Sequence, residues 1–379
     1  MLYFLIDMRK LLFFFTLSLL LYSCNDTEQS SEQGLFIDNG QFVKGQIGNV
    51  FKTHKLIHLD ATVNRIDDLV LADDRMVVID RSMESLYIFN REGSLIKQVQ
   101  GDLLSNGKFV QPVCVSATKN GDLLFYEAAN QMIFRIDQNN EVSAYKEADF
   151  YIRKLYPYKD GFLAFKNQSV QNEESEEYWF DIIEIDSEFN FIQGFFPFEI
   201  EKNVARTWQY FDDPVNVTAA GFEFYQPLTS TYTLTHTSGA QEEYAISFDD
   251  RSFKDRHLET VNREDAFEVL EKIFNRYALL NAKKLESGKI TAVRYVDAGK
   301  VYYNMDVKGK GPINYSEFTL SVDDKDLPVP YPMIVQAGKW YSVLDLENYD
   351  AMNLQQYDDV HPVLDQVIEG QTYLLELSL

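Results

Sequence analysis

The chain has 379 residues, 45% of them hydrophobic, which is enough to bury a core and excludes collagen-like and disordered polypeptides. A net charge of −24, from 59 acidic against 35 basic residues, excludes the basic footprint that DNA or RNA binding needs, so no nucleic-acid partner is expected. With 28 Phe and 23 Tyr, the apolar content suits pleated, half-buried sheet better than a helix bundle.

Residues 1–23 read as an address, a lipoprotein signal peptide, and not as a structural element. Arg9 and Lys10 form a basic start, and residues 11–21 form an apolar stretch too short to cross a ~30 Å hydrocarbon core comfortably. The stretch ends in Leu21-Tyr22-Ser23-Cys24, which resembles a bacterial lipobox: an aliphatic residue three before a cysteine and a small residue just before it. That resemblance implies cleavage before Cys24, lipidation of Cys24, and anchoring by acyl chains at ~0.8 kcal/mol per buried CH₂. Residues 24–45 then read as a lipidated flexible tether, polar and acidic over 25–33. No later segment comes near about 18 uninterrupted apolar residues, so no transmembrane helix is expected after the signal. With Cys24 lipidated, Cys114 has no disulfide partner; between Val113 and Val115 it reads as a buried, inert thiol.

From residue 46 onward short apolar runs recur between Asp, Asn and Gly turn signals. Residues 54–59 form a leading strand. Runs at 68–71, 76–80, 86–90 and 94–99 then make a four-stranded meander, and 113–116, 123–127, 133–137 and 142–145 repeat it. The end of the third strand can be followed as Asn90, Asp137, Asp186, His236 and Asp323, with a sixth third strand at 373–377. A period of about 40–50 residues with four strands per unit is the pattern of a β-propeller, whose sheets bury their faces against one another around an axis. The reading is an all-β fold: a six-bladed β-propeller of four-stranded antiparallel blades over 46–379. Because the chain ends on a third strand, the strand at 54–59 is expected to complete the last blade and close the ring. No fourth strand is found for blade five between Asp324 and Pro330. The long gap between His236 and Asp323 is assigned to one helical insertion, about 252–287, between blades four and five. It has Asn262 as N-cap, acids in its first turn, and Phe267, Leu270, Phe274 and Tyr277 along one face, with Gly288 expected to stop it. A shorter helix is expected near 362–368.

The lipobox, the leading strand and a first blade containing Met76-Val77-Val78-Ile79-Asp80 and Leu86-Tyr87-Ile88-Phe89-Asn90-Arg91-Glu92-Gly93 together resemble the six-bladed β-propeller lipoproteins of Bacteroidetes, relatives of NHL and TolB-like propellers. The resemblance covers roughly residues 45–379 and rests on structural motifs. It implies a place in the cell envelope, anchored at the outer membrane, and a binding or scaffolding role; it implies no catalytic residues. The Gly-Lys-Gly-Pro-Gly-Glu-Tyr-like turn common after blade one in that family does not occur at 101–107. A partial echo, Gly309-Lys310-Gly311-Pro312, stands in blade five.

The five histidines, His54, His58, His236, His257 and His361, form no His-Glu-x-x-His pair. The chain also has no Gly-x-Ser-x-Gly elbow, phosphate loop or dinucleotide fingerprint. Asp137, Asn139 and Glu141 take the first ligand positions of a calcium loop, but Val142 and Ala148 stand where its glycine and terminal Glu belong. Acidic pairs such as Asp67-Asp68 and Asp73-Asp74 flank strands and read as turn caps. No catalytic residue, metal site or cofactor is therefore assigned. Propeller topology puts the loops that enter each inner strand, and those between second and third strands, on one rim around the central channel, where ligands commonly sit. Arg65, Asp80, Arg81, Glu127, Arg153, Lys166, Trp208 and Asp345 are the candidate contacts there. The expected function is a non-catalytic binding or scaffolding module, lipid-anchored in the envelope, for a glycan, peptide or protein partner. The alternative is a propeller hydrolase or lactonase-like enzyme with a metal such as calcium in the channel; a third reading is a structural subunit of an envelope complex.

Overall fold

In the first repeat Leu69, Leu71, Met76, Val78, Tyr87 and Phe89 gather on one side, and Val70, Val77, Ile79, Leu86 and Ile88 on the other. Strand side chains alternate between two faces, so a nearly continuous apolar run becomes a strand buried on both. A computed structural model describes residues 35–37, 42–46, 50–100, 111–167, 175, 178–198, 213–226, 231–248, 251–252, 266–280, 282–322, 325–329, 332, 334–345 and 372–378.

Three N-terminal strands, β1 (Leu35–Phe36), β2 (Phe42–Gln46) and β3 (Thr53–His58), belong to later blades. Blade one is β4 (Asp68–Ala72), β5 (Arg75–Asp80), β6 (Ser85–Asn90) and β7 (Leu95–Gln100). Blade two is β8 (Pro112–Ala117), β9 (Leu123–Glu127), β10 (Met132–Ile136) and β11 (Val142–Glu147). Blade three is β12 (Lys154–Tyr158), β13 (Gly161–Phe165), β14 (Phe180–Ile185) and β15 (Phe191–Pro197). Blade four is β16 (Val215–Val217), β17 (Gly221–Tyr225), β18 (Thr231–His236) and β19 (Gln241–Ser247), with β1 parallel to β19.

After helix α1 (Ala266–Arg276), β20 (Ala278–Leu280) and β21 (Leu285–Ser287) share the inner position of blade five. The blade continues as β22 (Ile290–Asp297), β23 (Lys300–Val307) and β24 (Gly311–Val322), and both β2 and β25 (Lys325–Pro328) pair with β24. Blade six is β26 (Ile334–Gln336), β27 (Lys339–Asp345) and β28 (Thr372–Ser378), completed by β3. β3 runs antiparallel to β28, with His58 opposite Tyr373 and Thr53 opposite Ser378, so the expected closure of the ring is present. Each junction between neighbouring blades holds its own apolar cluster, from Trp340 and Tyr373 between blades five and six to Phe165 and Phe224 between three and four.

Three sequence expectations are corrected. Residues 35–36 and 42–45 were expected in the tether, yet they belong to parallel edge strands of blades four and five. Blade five does have a fourth strand, β24. The apolar run at 318–322 that reads as its third strand is the far end of this 12-residue strand, and Gly309-Lys310-Gly311 turns into it from β23. The helix ends at Arg276, well before Gly288, because Ala278, Leu279 and Leu280 are needed as inner strand opposite Asp297, Val296 and Tyr295. Cys24, Asn262, Asp323 and the stretch 362–368 lie outside the described residues. Cys114 is fully buried, and burial, with Asp68 adding to it, pushes its thiol up to about 12. Among the described residues no helix is long and apolar enough to cross a membrane.

Candidate functional site

The first strands of successive blades line the axis: β4 neighbours β8, β8 neighbours β12, β12 neighbours β16, and β21 neighbours β26. The starting ends of these inner strands share a rim with the long connections of the chain. β7 ends at Gln100 and β8 starts at Pro112; β15 ends at Pro197 and β16 starts at Val215; β27 ends at Asp345 and β28 starts at Thr372. The opposite rim is made of short turns.

An ion network crosses the channel mouth at the long-connection rim. Asp68 opens β4, and its carboxylate accepts hydrogen bonds from its neighbour Leu69 N (2.9 Å), from Val115 N of blade two (3.0 Å), and from Lys154 Nζ of blade three. On the other side Asp213, just ahead of β16, accepts Tyr156 Oη at 2.6 Å and pairs with Lys283 Nζ at 2.6 Å. Lys283, between β20 and β21, also donates to Val215 O (2.9 Å). Acid and base alternate through Asp68, Lys154, Asp213 and Lys283, tying the inner strands of blades one to five together. Burial disfavours charge on Lys154, but Asp68 and Asp213 outweigh it and raise its pKa. Burial would raise Asp213; Lys283 and Lys154 outweigh that and lower it. For Lys283 burial prevails over Asp213 and the pKa falls. Tyr156 is driven well up by burial and by the adjacent Asp213. A second cluster backs this one: Lys284 pairs with Glu223 (3.3 Å) and Glu286 (2.9 Å), while Tyr225 Oη donates to Glu223 (2.8 Å).

The contacts expected from sequence divide by burial. Asp80 and Glu127 end the second strands of blades one and two, and both are fully buried. Asp80 accepts Asn64 N (2.7 Å), Ser82 Oγ (2.6 Å) and Met83 N (3.1 Å); Glu127 accepts Gln111 N (3.1 Å), Ala129 N (2.8 Å) and Asn130 N (2.9 Å). Lys166, the next counterpart, is fully buried too and donates to Tyr178 O (2.7 Å), with Phe150 and Phe198 against its ammonium. All three are engaged within the loops of the rim, and a buried group with its bonds filled locally presents little to a ligand. Arg65, 62% exposed at its side chain, and Arg81 do stand at the mouth around Asp67. Arg81 also donates to Val113 O across to blade two (2.9 Å), while its Nε is buried without a partner. Arg153 donates its backbone N–H to Phe165 O at the start of blade three. Asp345 ends β27 opposite Thr372, and Trp208 is outside the described residues.

Sequence reasoning missed Asp68, Lys154, Asp213 and Lys283. The local signal was a charge placed directly before an apolar inner strand, as in Asp68-Leu69 and Lys154-Leu155. The pair Asp67-Asp68, expected to cap its own turn, bonds further away: Asp67 accepts Arg81 N at 2.8 Å, and Asp68 faces the axis network. Among the described residues no group of three or more His, Cys, Asp or Glu is placed to hold a metal ion.

A family model described as 6-bladed beta-propeller, DUF5128, matches residues 26–337. No curated protein matches the chain. Among solved structures, one from Bacteroides fragilis, described as an exported protein, is similar with a TM-score of 0.68 at 14% identity, over 91% of this chain and 99% of that one. A DUF4221 family member from Bacteroides vulgatus is similar with a TM-score of 0.54 at 10% identity, over 87% and 96%. At these identities the likeness is one of fold. Catalytically inactive virginiamycin B lyase from Staphylococcus aureus is also similar, with a TM-score of 0.43 at 11% identity over 85% and 83%.

Proposed function

Because this chain belongs to the 6-bladed beta-propeller family DUF5128, we propose that it is an exported, lipid-anchored envelope protein that binds a glycan, peptide or protein segment at its channel mouth without catalysing a reaction on it. The observation that carries the reading is the concentration on one rim of the long connections, beside an exposed Arg65 and a partly exposed Arg81. Loops held on a rigid scaffold are where binding residues gather. Beneath them the channel's charges are matched to one another, which suits a rigid floor. Export and anchoring draw support from the Leu21-Tyr22-Ser23-Cys24 motif after an apolar stretch, and from the description of the Bacteroides fragilis protein as exported.

Thermal unfolding of the protein against panels of glycans, peptides and divalent metals tests the reading. A ligand at ~100 times its dissociation constant adds ~2.7 kcal/mol to the native state. The expected result is a shift with a glycan or peptide that Arg65→Glu removes. A shift with calcium alone, reversed by EDTA, overturns it in favour of a metal-dependent enzyme. For the anchor, Cys24→Ala is expected to lose incorporation of a labelled fatty acid and to leave the membrane fraction.

A further inference from the structure

On the short-turn rim a groove of about 320 Å³ opens between blades two and three, within the ~300–1,000 Å³ range of small-ligand sites. Its blade-two wall carries Asp122 and Arg135. Arg135 Nε and Nη2 both donate to Asp122 Oδ2, which fixes the guanidinium. Among the described residues Arg135 Nη1 and Asp122 Oδ1 keep no partner, so this wall offers both a donor and an acceptor. Lys119 and Asp160 pair at 2.8 Å across the groove, and both are exposed. Two bases thus face two acids, and the groove has no net charge with which to attract an ion.

Tyr145 adds an apolar face. In the pairing of β10 with β11, Ile133 faces Lys146 and Phe134 faces Ala144, so Tyr145 is the extra residue of a β-bulge. Bulges re-aim a side chain, and here Tyr145 lines the groove, the residue being 39% exposed. The bulges of blades one and three put Ile96 and Ile192 at the equivalent places. The junction between blades six and one holds a comparable cavity of about 550 Å³ with an ion pair in the equivalent position but reversed in sign, Lys339 with Glu376. Its lining tyrosine, Tyr341, is buried and held by Glu376, so that cavity presents no exposed ring.

We propose that the groove between blades two and three binds a neutral saccharide. A pyranose has an apolar C–H face for the Tyr145 ring and vicinal hydroxyls that both donate and accept. Those hydroxyls match Asp122 Oδ1 and Arg135 Nη1, while a charged ligand gains nothing from a neutral groove. The site is separate from the channel mouth on the opposite rim and does not rest on the reading given above.

The test is isothermal titration of the full chain with neutral di- and trisaccharides of glucose, galactose and mannose. At least one is expected to bind, Tyr145→Ala to weaken it about tenfold, and Tyr145→Phe, which keeps the ring, to retain it. Arg65→Glu is expected to leave it unchanged. Tyr145→Ala removes the Tyr145 Oη bond to Ser187 O (3.4 Å) and an edge contact with Phe189, so the far-UV circular dichroism spectrum, which should match wild type, is the check that the fold is kept. The inference is overturned if no probe binds with a dissociation constant below about 10 mM. It is equally overturned if binding survives Tyr145→Ala, or is lost with Arg65→Glu instead, which would move the saccharide to the channel mouth.

Discussion

The two rims of this propeller are built from the same strands and solve their turns in different ways. On the short-turn rim, Asn90, Asp137 and Asp186 each close the third strand with one side-chain oxygen. Asp137 Oδ1 accepts Asn139 N and Glu141 N, both at 2.8 Å, and Asp186 Oδ1 accepts Glu188 N and Asn190 N, both at 2.8 Å. The fourth residue of each turn has positive φ: Gly93 at 95°, Asn140 at 65°, Phe189 at 63°, and Gly239 at 88° in the turn begun by His236. Every bond in such a turn lies within five residues, so it repeats blade after blade. On the long-connection rim the corresponding work is done by Asp80, Glu127 and Lys166, and the bonds of Asp68, Lys154, Asp213 and Lys283 join blades distant in sequence. Local turns make one rim regular, and only contacts between blades define the other.

The largest effect is expected from breaking the long-connection rim at its network. Lys154→Met leaves the Asp68 and Asp213 carboxylates without their shared base and should cost about 3–5 kcal/mol in urea unfolding. A loss below about 1 kcal/mol would mean that the network does not hold the blades together. On the short-turn rim two glycines can be set against each other. A Cβ on Gly93 would stand 1.8 Å from His58 O of the closing strand, whereas one on Gly239 meets nothing within 4 Å. Gly93→Ala is expected to cost about 3 kcal/mol or more and Gly239→Ala about 1 kcal/mol, since only the backbone conformation is at stake there. Equal shifts in melting temperature would mean that the close approach of Gly93 to His58 adds nothing to the closing strand.

A smaller effect concerns pH. The backbone N–H of Glu141, followed by that of Asn139, holds Asp137 below its usual carboxylate range. A pKa lowered by folding contributes stability above the unfolded value near ~4, and that contribution is lost as pH falls through the folded value. The melting temperature of Asp137→Ala should therefore lie below wild type at neutral pH, with the gap closing as the pH falls through the folded value. A gap that widened in acid would reverse the assignment. The smallest effect is expected from Arg65→Glu, whose exposed side chain should leave stability within about 0.5 kcal/mol while altering ligand binding.

Much of the architecture was legible because it is local. Continuous apolar runs, as in Met76-Val77-Val78-Ile79, and turn residues at Asn90, Asp137 and Asp186 determine strand, turn and period within a few residues of themselves. The count of third strands and the missing last strand then required a strand at residues 54–59, found at Thr53–His58, to close the ring. Blade five escaped this reading, since its second, third and fourth strands are longer than their counterparts and its turn uses Gly309 and Gly311 in place of an Asp. Only the tertiary structure decided what Asp68, Lys154, Asp213 and Lys283 do, because Asp68 and Lys154 stand 86 residues apart and meet only when the blades circle the axis. The same holds for the groove beside Tyr145, where one residue's excess in a strand pairing turns a ring towards the next blade. Short-range bonding can be read along a chain, while a site assembled from separate blades exists only once the ring has closed.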